Sequence, residues 1–283
     1  MTDLAQPGRR TAMGRLSALP ATLIIGSVIT AAWIVLALAA PLLTPYNPIA
    51  VDVLQALKPP SAEHWLGSDA IGRDVLTRIL FGARYDLAMA AFGVIGPIIV
   101  GTIVGLVSGY FGGRMDAMLM RIFEVTVSFP YFVLVIAIVA VLGPGLKSYL
   151  ISLTLVNWVS YARLVRSQAL VLRSADFVLA ARGMGFGHLR IMLFHILPNA
   201  IIPSVVFVMT DAVLTIVLGS SLGFLGLGVQ PPTPEWGAMI AEGQTYLTTA
   251  WWISIFPGLA LCSLALGLSL TADGLARILH TGT

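Results

Sequence analysis

The sequence predicts an all-α membrane protein with six transmembrane helices, on three observations. Only 10% of the 283 residues are charged and 58% are hydrophobic, whereas soluble domains carry roughly 25% charge, so there is too little charge to coat a water-facing surface. Six apolar runs each reach the roughly 20 residues with which a helix crosses about 30 Å of hydrocarbon. Backbone amides cannot stay unpaired in lipid, so such runs form helices rather than open sheet.

The first run, 20–43 ("PATLIIGSVITAAWIVLALAAPLL"), follows a tail, 1–19, that holds Arg9, Arg10 and Arg15. An arginine-led apolar run containing "ALA" at 37–39 also fits a cleavable secretory signal, and "GRRTAM" faintly echoes a twin-arginine signal. Cleavage would leave five helices and an N-terminus on the opposite face, so an uncleaved anchor is expected. A long connection, 44–86, follows, with Pro45, Pro48, Pro59 and Pro60 near its start. The other runs fall at about 87–110, 122–143, 149–170, 200–222 and 250–270. They form a five-helix core over 87–273, with a tail at 274–283.

Gly101, Gly105 and Gly109 recur every four residues and place three gaps on one helix face, a close-packing seam against a helix of this chain or of a partner subunit. The lone cysteine, Cys262, excludes an intrachain disulfide and reads as a small buried thiol.

Lysine and arginine placement sets the orientation. The N-terminal tail, the second-to-third connection (Arg114, Arg121), the fourth-to-fifth region (Arg163, Arg166, Arg173, Arg182, Arg190) and Arg277 hold 11 of the 16 basic residues. Lys58, Arg73, Arg78, Arg84 and Lys147 lie opposite. Both termini and the segment 174–199 are therefore expected in the cytoplasm. The basic residues of 44–86 are nearly balanced by acids, and long translocated loops obey the charge rule only weakly.

Catalytic patterns are missing. "GPGLKS" at 143–148 lacks the glycine before lysine that a phosphate-binding loop needs, and no H-E-x-x-H or G-x-S-x-G occurs. ATP hydrolysis by this chain, a bound cofactor or metal, and nucleic-acid binding are not expected. Two acids lie near membrane depth, Asp211 in the fifth run and Glu124 in the third; each is a pathway candidate because an ionisable group is expensive there. Packing alone also accounts for Asp211, and Glu124 is placed to pair with Arg121. Asn157 and Ser160 serve either as interhelical glue or as pathway groups.

The stretch "LAARGMGFGHLRIMLFHILPN", 179–199, interrupts the apolar runs. Phe177, Ala180, Ala181 and Met184 fall at i, i+3, i+4 and i+7, and Leu189, Met192, Leu193 and Ile196 repeat that spacing, which predicts two short amphipathic helices. Gly183, Gly185 and Gly187 between them permit a sharp turn, and Pro198 is expected to close the second helix. Patterning leaves two readings open: a face that a partner's groove receives, or a hairpin lying on the lipid interface.

These residues resemble the cytoplasmic "EAA" loop of permease subunits in bacterial ATP-binding-cassette (ABC) importers, E-A-A-x-x-x-G-x9-I-x-L-P. Ala180, Ala181, Gly185, Leu197 and Pro198 match, while Leu179 replaces the glutamate and His195 the isoleucine. "HWLGSDAIGRDVLTRILFGARYDL", "GYFGGRMDAMLMRIFEVTVSFP", "LGPGL" and "SLGFLGLGVQPPTPEWGAMI" look like the second permease subunit of dipeptide, oligopeptide and nickel importers, over about Pro41 to Gly274. Departures are Glu124 for aspartate, Gly223 for serine, and "LSLTADGL" near the end.

The resemblance implies a type I ABC importer permease fold in the bacterial cytoplasmic (inner) membrane. Its coupling helix would comprise Phe177, Leu179, Ala180, Ala181, Arg182, Gly183, Met184, Gly185 and Phe186, with any contact at Leu179 apolar. Implied partners are a homologous second permease subunit, two ATPase subunits that carry ATP and Mg, an extracytoplasmic substrate-binding protein, and membrane lipid. Di- or oligopeptides are the implied cargo, with nickel, a metal chelate, glutathione or an opine as alternatives. An ion-coupled carrier is the rival class; it needs paired acids or broken helices at the midplane.

Overall fold

The computed structural model describes residues 20–281; the tail 1–19, with its three arginines, lies outside the described residues. Among these residues, regular structure is entirely helical. The long helices are α1 (Ala21–Leu43), α2 (Val75–Phe111), α3 (Gly113–Ser128), α4 (Tyr131–Leu142) and α5 (Leu146–Leu172). Short pieces follow: α6 (Asp176–Gly183), α7 (His188–Ile191), a π-helical turn (Met192–Ile196) and α8 (Leu197–Ala200). The chain ends with α9 (Ile202–Phe224), α10 (Trp236–Gly243) and α11 (Trp252–Thr281).

α1, α2, α9 and α11 are each long and apolar enough to cross a membrane, and α3 with α4 makes a fifth such unit. α5 is also long enough at 27 residues, about 40 Å at 1.5 Å per residue. Lys147, Arg163 and Arg166 lower its apolarity, yet it runs the full height of the bundle. At its start the Gly145 N–H donates to Leu227 O (3.2 Å); at its far end Arg166 grips Asp116 of α3 and Arg173 Nη1 donates to Gly109 O of α2 (3.4 Å).

Two expected boundaries move. α2 begins at Val75, so the connection 44–86 contains twelve residues of helix that were expected to be loop. Arg78, Arg84 and Asp86 break the apolar run in sequence, but each finds partners in place. The expected straight span 122–143 is instead two helices bent by 90°. Pro130 has no N–H to donate and forces Phe129 into extended backbone (φ −89°, ψ 141°), which ends α3. Cys262 is exposed on the outer face of α11 rather than buried, since a helix at the rim of a bundle turns apolar residues toward lipid as readily as inward.

The glycine seam lies within the chain. Gly101 faces Trp158 O and Tyr161, Gly105 faces the Ala162 backbone, and Gly109 faces Ala169 and Arg166 O. A Cβ at Gly109 would sit 2.7 Å from Ala169 Cβ, so only the missing side chains let α2 and α5 lie backbone to backbone.

The connections at the other end fold into an ionic knot. Asp74 caps α2 by accepting from Thr77 N–H (2.7 Å) and also pairs with His64 Nδ1 (2.9 Å). Arg73 bridges Asp69 (2.5 Å) and Glu242 (2.7 Å), and Arg78 reaches Glu242 (3.2 Å). Arg84 Nε donates to Ala37 O near the end of α1 (2.8 Å). These partners account for the three arginines on this side. The indole of Trp236, fully buried, donates to Ile79 O (3.0 Å) and meets Trp33 edge-on at 4.9 Å, locking α10 against α1 and α2.

Beside it, Glu235 is fully buried, and its carboxylate accepts from the N–H groups of Gly237 (2.7 Å) and Ala238 (2.8 Å), capping α10. Burial pushes this carboxyl up to about 7, against those two bonds. Stability tied to its protonated form is fully present below about 4.5, the ordinary glutamate value, and is lost as pH rises through about 7. The thermal midpoint in detergent is expected to fall from pH 4.5 to 8, and Glu235→Gln to flatten that fall. At the seam, Gly105→Leu is expected to overpack by at least 1–3 kcal/mol and lower the midpoint by several degrees. Gly258→Ala, whose added Cβ meets nothing within 4 Å, should leave it unchanged.

Candidate functional site

α6 is an eight-residue helix with two different faces. Val178 and Ala181 are 0% exposed, packed against Leu106 and Tyr110 of α2, Val165 and Ala169 of α5, and Ile191 and Ile196 beyond the turn. Phe177, Leu179, Ala180 and Met184 point outward, with Leu179 half exposed and Met184 two-thirds exposed. The expected stripe of Phe177, Ala180, Ala181 and Met184 is therefore split. Ala181 belongs to the inner face, and the other three form an outer apolar face with no partner among the described residues.

The helix ends in a hydrogen-bonded left-handed cap. Gly185 N–H donates to Arg182 O (2.9 Å) and Phe186 N–H to Ala181 O (3.1 Å), the paired pattern of a Schellman motif. This requires positive φ at Gly185 (80°). Of the three glycines expected to make the turn, Gly185 alone has this conformation; Gly183 is the last residue of α6 and Gly187 caps α7. Phe186 folds back, partly buried, against the core and carries Arg190 over its ring at 4.2 Å.

After the turn, the second expected stripe is also re-phased. Ile191, Met192, Ile196 and Ala200 are buried, while Leu189 and Leu193 are exposed. The cause is the π-helical turn Met192–Ile196, closed by Leu197 N–H donating to Met192 O, which adds a residue to one turn and shifts the inward face. Pro198 does not close the helix as expected. It sits in the first turn of α8, where its missing N–H goes unneeded, and the helical path runs on into α9.

Side-chain contacts tie this segment to α2. Tyr110 shares a hydrogen bond with His188 Nδ1 (2.8 Å), and the Arg182 guanidinium lies 5.3 Å over the Tyr110 ring. Asp116, at the start of α3, is held by Arg166 of α5 through Nε (2.5 Å) and Nη2 (2.6 Å), and by the Ser108 hydroxyl of α2. The ends of α2, α3 and α5 and the segment 176–200 thus form one block.

Of the pathway candidates, the structure joins two and leaves one apart. Asp211 of α9 is 2% exposed and accepts from Asn157 Nδ2 (2.6 Å) and from Tyr161 OH (2.8 Å), both on α5. Glu124 is exposed on α3 and pairs with Arg121 at 3.3 Å. Tyr161 was missed in the sequence, although it stands four residues after Asn157 and so on the same face. Among the described residues no three His, Cys, Asp or Glu side chains converge as a metal site would require.

Residues 101–283 match the family described as binding-protein-dependent transport system inner membrane components. A dipeptide transport system permease of Alkalihalophilus pseudofirmus is 42% identical over 252 residues, 89% of this chain and 83% of that protein. The chain belongs to this family. A di/tripeptide transport system permease of Pseudomonas aeruginosa is 39% identical, covering 84% of this chain and 81% of its own length. A glutathione transport system permease of Pectobacterium atrosepticum is 41% identical, covering 76% and 72%. An inward-facing structure of the MetNI methionine ABC transporter superposes with a TM-score of 0.56 at 18% identity, over 71% of this chain and 95% of that one. The architecture is accordingly the type I importer permease fold, and the protein is a multi-pass membrane permease.

The left-handed Gly185 gives this permease a specific weak point. Gly185→Val puts a β-branched residue at positive φ, at about 1–2 kcal/mol, while no neighbouring atom lies within 4 Å of the new Cβ. The expected outcome is normal membrane insertion with faster amide exchange confined to about 181–190, read by hydrogen–deuterium exchange.

Proposed function

We propose that this permease is one subunit of an ATP-driven importer of di- or oligopeptides in the bacterial inner membrane, with the 174–199 segment in the cytoplasm. The observation that carries this reading is α6: anchored inside by Val178 and Ala181, it presents Phe177, Ala180 and Met184 outward as an apolar ridge with alanine at its centre. A partner's groove can close over so low a ridge. The coupling residues are then Phe177, Leu179, Ala180, Met184 and Gly185 at the contact, while Ala181, Arg182, Gly183 and Phe186 hold its shape. With leucine at 179, the contact there is apolar.

In this reading two ATPase subunits, carrying ATP and Mg, receive the ridge, and a second permease completes the pathway. A substrate-binding protein delivers peptide from outside. Because 176–200 and the ends of α2, α3 and α5 form one block, a shift of the docked ridge moves whole helices, as rigid-body switching requires. Peptide cargo follows the names of the permeases most like this chain, and the glutathione permease keeps that tripeptide within the same class. An ion-coupled carrier is disfavoured because the chain belongs to the binding-protein-dependent family, and Glu124 and Asp211 do not pair.

Ala180→Arg tests the docking reading. The side chain is exposed, so the purified permease should keep its thermal midpoint within about a degree. ATP-driven uptake by the assembled transporter is expected to fall at least 20-fold, and ATPase co-purification to drop. Unchanged uptake would overturn the assignment.

A further inference from the structure

The 90° break between α3 and α4 opens a cavity of about 610 Å³ against one face of α5, within the range of small-molecule sites, about 300–1,000 Å³. Its walls are mostly apolar, with Phe129, Tyr131 and Phe207 among them, and α5 contributes Asn157, Ser160 and Arg163 at intervals of three residues. These three follow the helix for about 9 Å.

The two ends of that row differ chemically. Asn157 donates its Nδ2 to the buried Asp211 at 2.6 Å. With the amide nitrogen on Asp211, the Asn157 Oδ1 acceptor has no hydrogen-bond partner among the described residues, and Asn157 lines the cavity. Asp211 also holds Tyr161 OH, one helical turn on. At the far end, Arg163 stacks over Phe123 at 4.3 Å, and none of the described carboxylates pairs with its guanidinium. The cavity therefore offers a carbonyl acceptor at one end and an unneutralised cation with paired donors at the other.

Resting on the import reading above, we propose that this cavity is a transit site for a peptide zwitterion: Asn157 Oδ1 receives the ammonium group and Arg163 the carboxylate. Asp211 is a positioning residue that fixes the Asn157 amide without touching the cargo. An extended dipeptide spans up to about 7 Å, and the reach of the Arg163 side chain closes the remaining distance. The apolar walls suit side chains of varied shape, so the two termini set register while the residues between them stay free.

The test uses the complete transporter in proteoliposomes, with uptake of free dipeptide as the readout. Arg163→Lys, Arg163→Gln and Arg163→Glu are expected to rank by charge, with Gln at least tenfold below wild type, Lys well above Gln, and Glu lowest. Because the binding protein is a separate chain, the mutant-to-wild-type ratio for any one peptide cancels its contribution. For a C-amidated dipeptide the Arg163→Gln ratio should fall less than threefold. Asn157→Leu and Asp211→Asn should depress free dipeptide more than its N-acetylated form. Uptake that ignores the charge at 163, an equal loss for free and amidated peptide, or loss of the second permease subunit from the Arg163→Gln complex would overturn the site while leaving import intact. Absence of dipeptide uptake by the wild type would overturn the import reading and the site together.

Discussion

Two helices lie backbone to backbone only where side chains vanish, and the interior pair of this bundle is built on such a seam. Gly101, Gly105 and Gly109 bring α2 against α5. In lipid there is no hydrophobic force to drive such a pair together, so close approach and van der Waals contact must do it. Once the pair is set, α5 is the interior pillar despite carrying more polar groups than its neighbours. Its Asn157 and Tyr161 point at Asp211 of α9, and its Arg166 and Arg173 clasp α3 and α2 at one end.

That arrangement separates two kinds of polar chemistry. At the end where 44–74 and 225–251 meet, Asp69, Arg73, Arg78 and the partly exposed Glu242 form an ionic knot that shapes the connections. Such networks add little net stability relative to apolar packing, but losing one partner leaves the others unpaired and expensive. At the opposite end, the ion pair of Arg166 with Asp116 and the contacts of Tyr110 with His188 and Arg182 join separate helices. One set fixes a shape, and the other ties α6 to the long helices.

Much of this was legible in the sequence, for reasons that differ by element. Apolar runs of sufficient length announce α1, α9 and α11 because lipid admits few alternatives. The glycine period announced a seam, and only coordinates could say which helix fills it. The start of α2 was hidden because Arg78, Arg84 and Asp86 look like loop residues until Glu242, Ala37 and Ser220 appear as their partners from distant parts of the chain. The bend at Pro130 was available in principle, since the residue before proline resists helix, but the apolar run continues across it and masks the break. At the candidate site the segment, its two helices and its glycine turn were readable. Its facing was not: assigning Ala181 with Ala180 to one stripe overlooked Val178, and no spacing rule anticipates the extra residue of the π turn. Asp211 and Asn157 were named separately as candidates, and their hydrogen bond joins residues 54 positions apart.

The split faces of α6 have a consequence for how this protein can change over time. Val178 and Ala181 answer to α2 and α5, whose shapes are fixed by the same gene. In the proposed importer, Phe177, Leu179, Ala180 and Met184 answer to an ATPase subunit encoded elsewhere. Neighbouring positions on one eight-residue helix thus sit under independent constraints. Drift at 177, 179, 180 or 184 can then be matched by a compensating change in that protein without disturbing this fold. A hybrid transporter built from mismatched subunits should consequently fail at its seams while every subunit remains well folded.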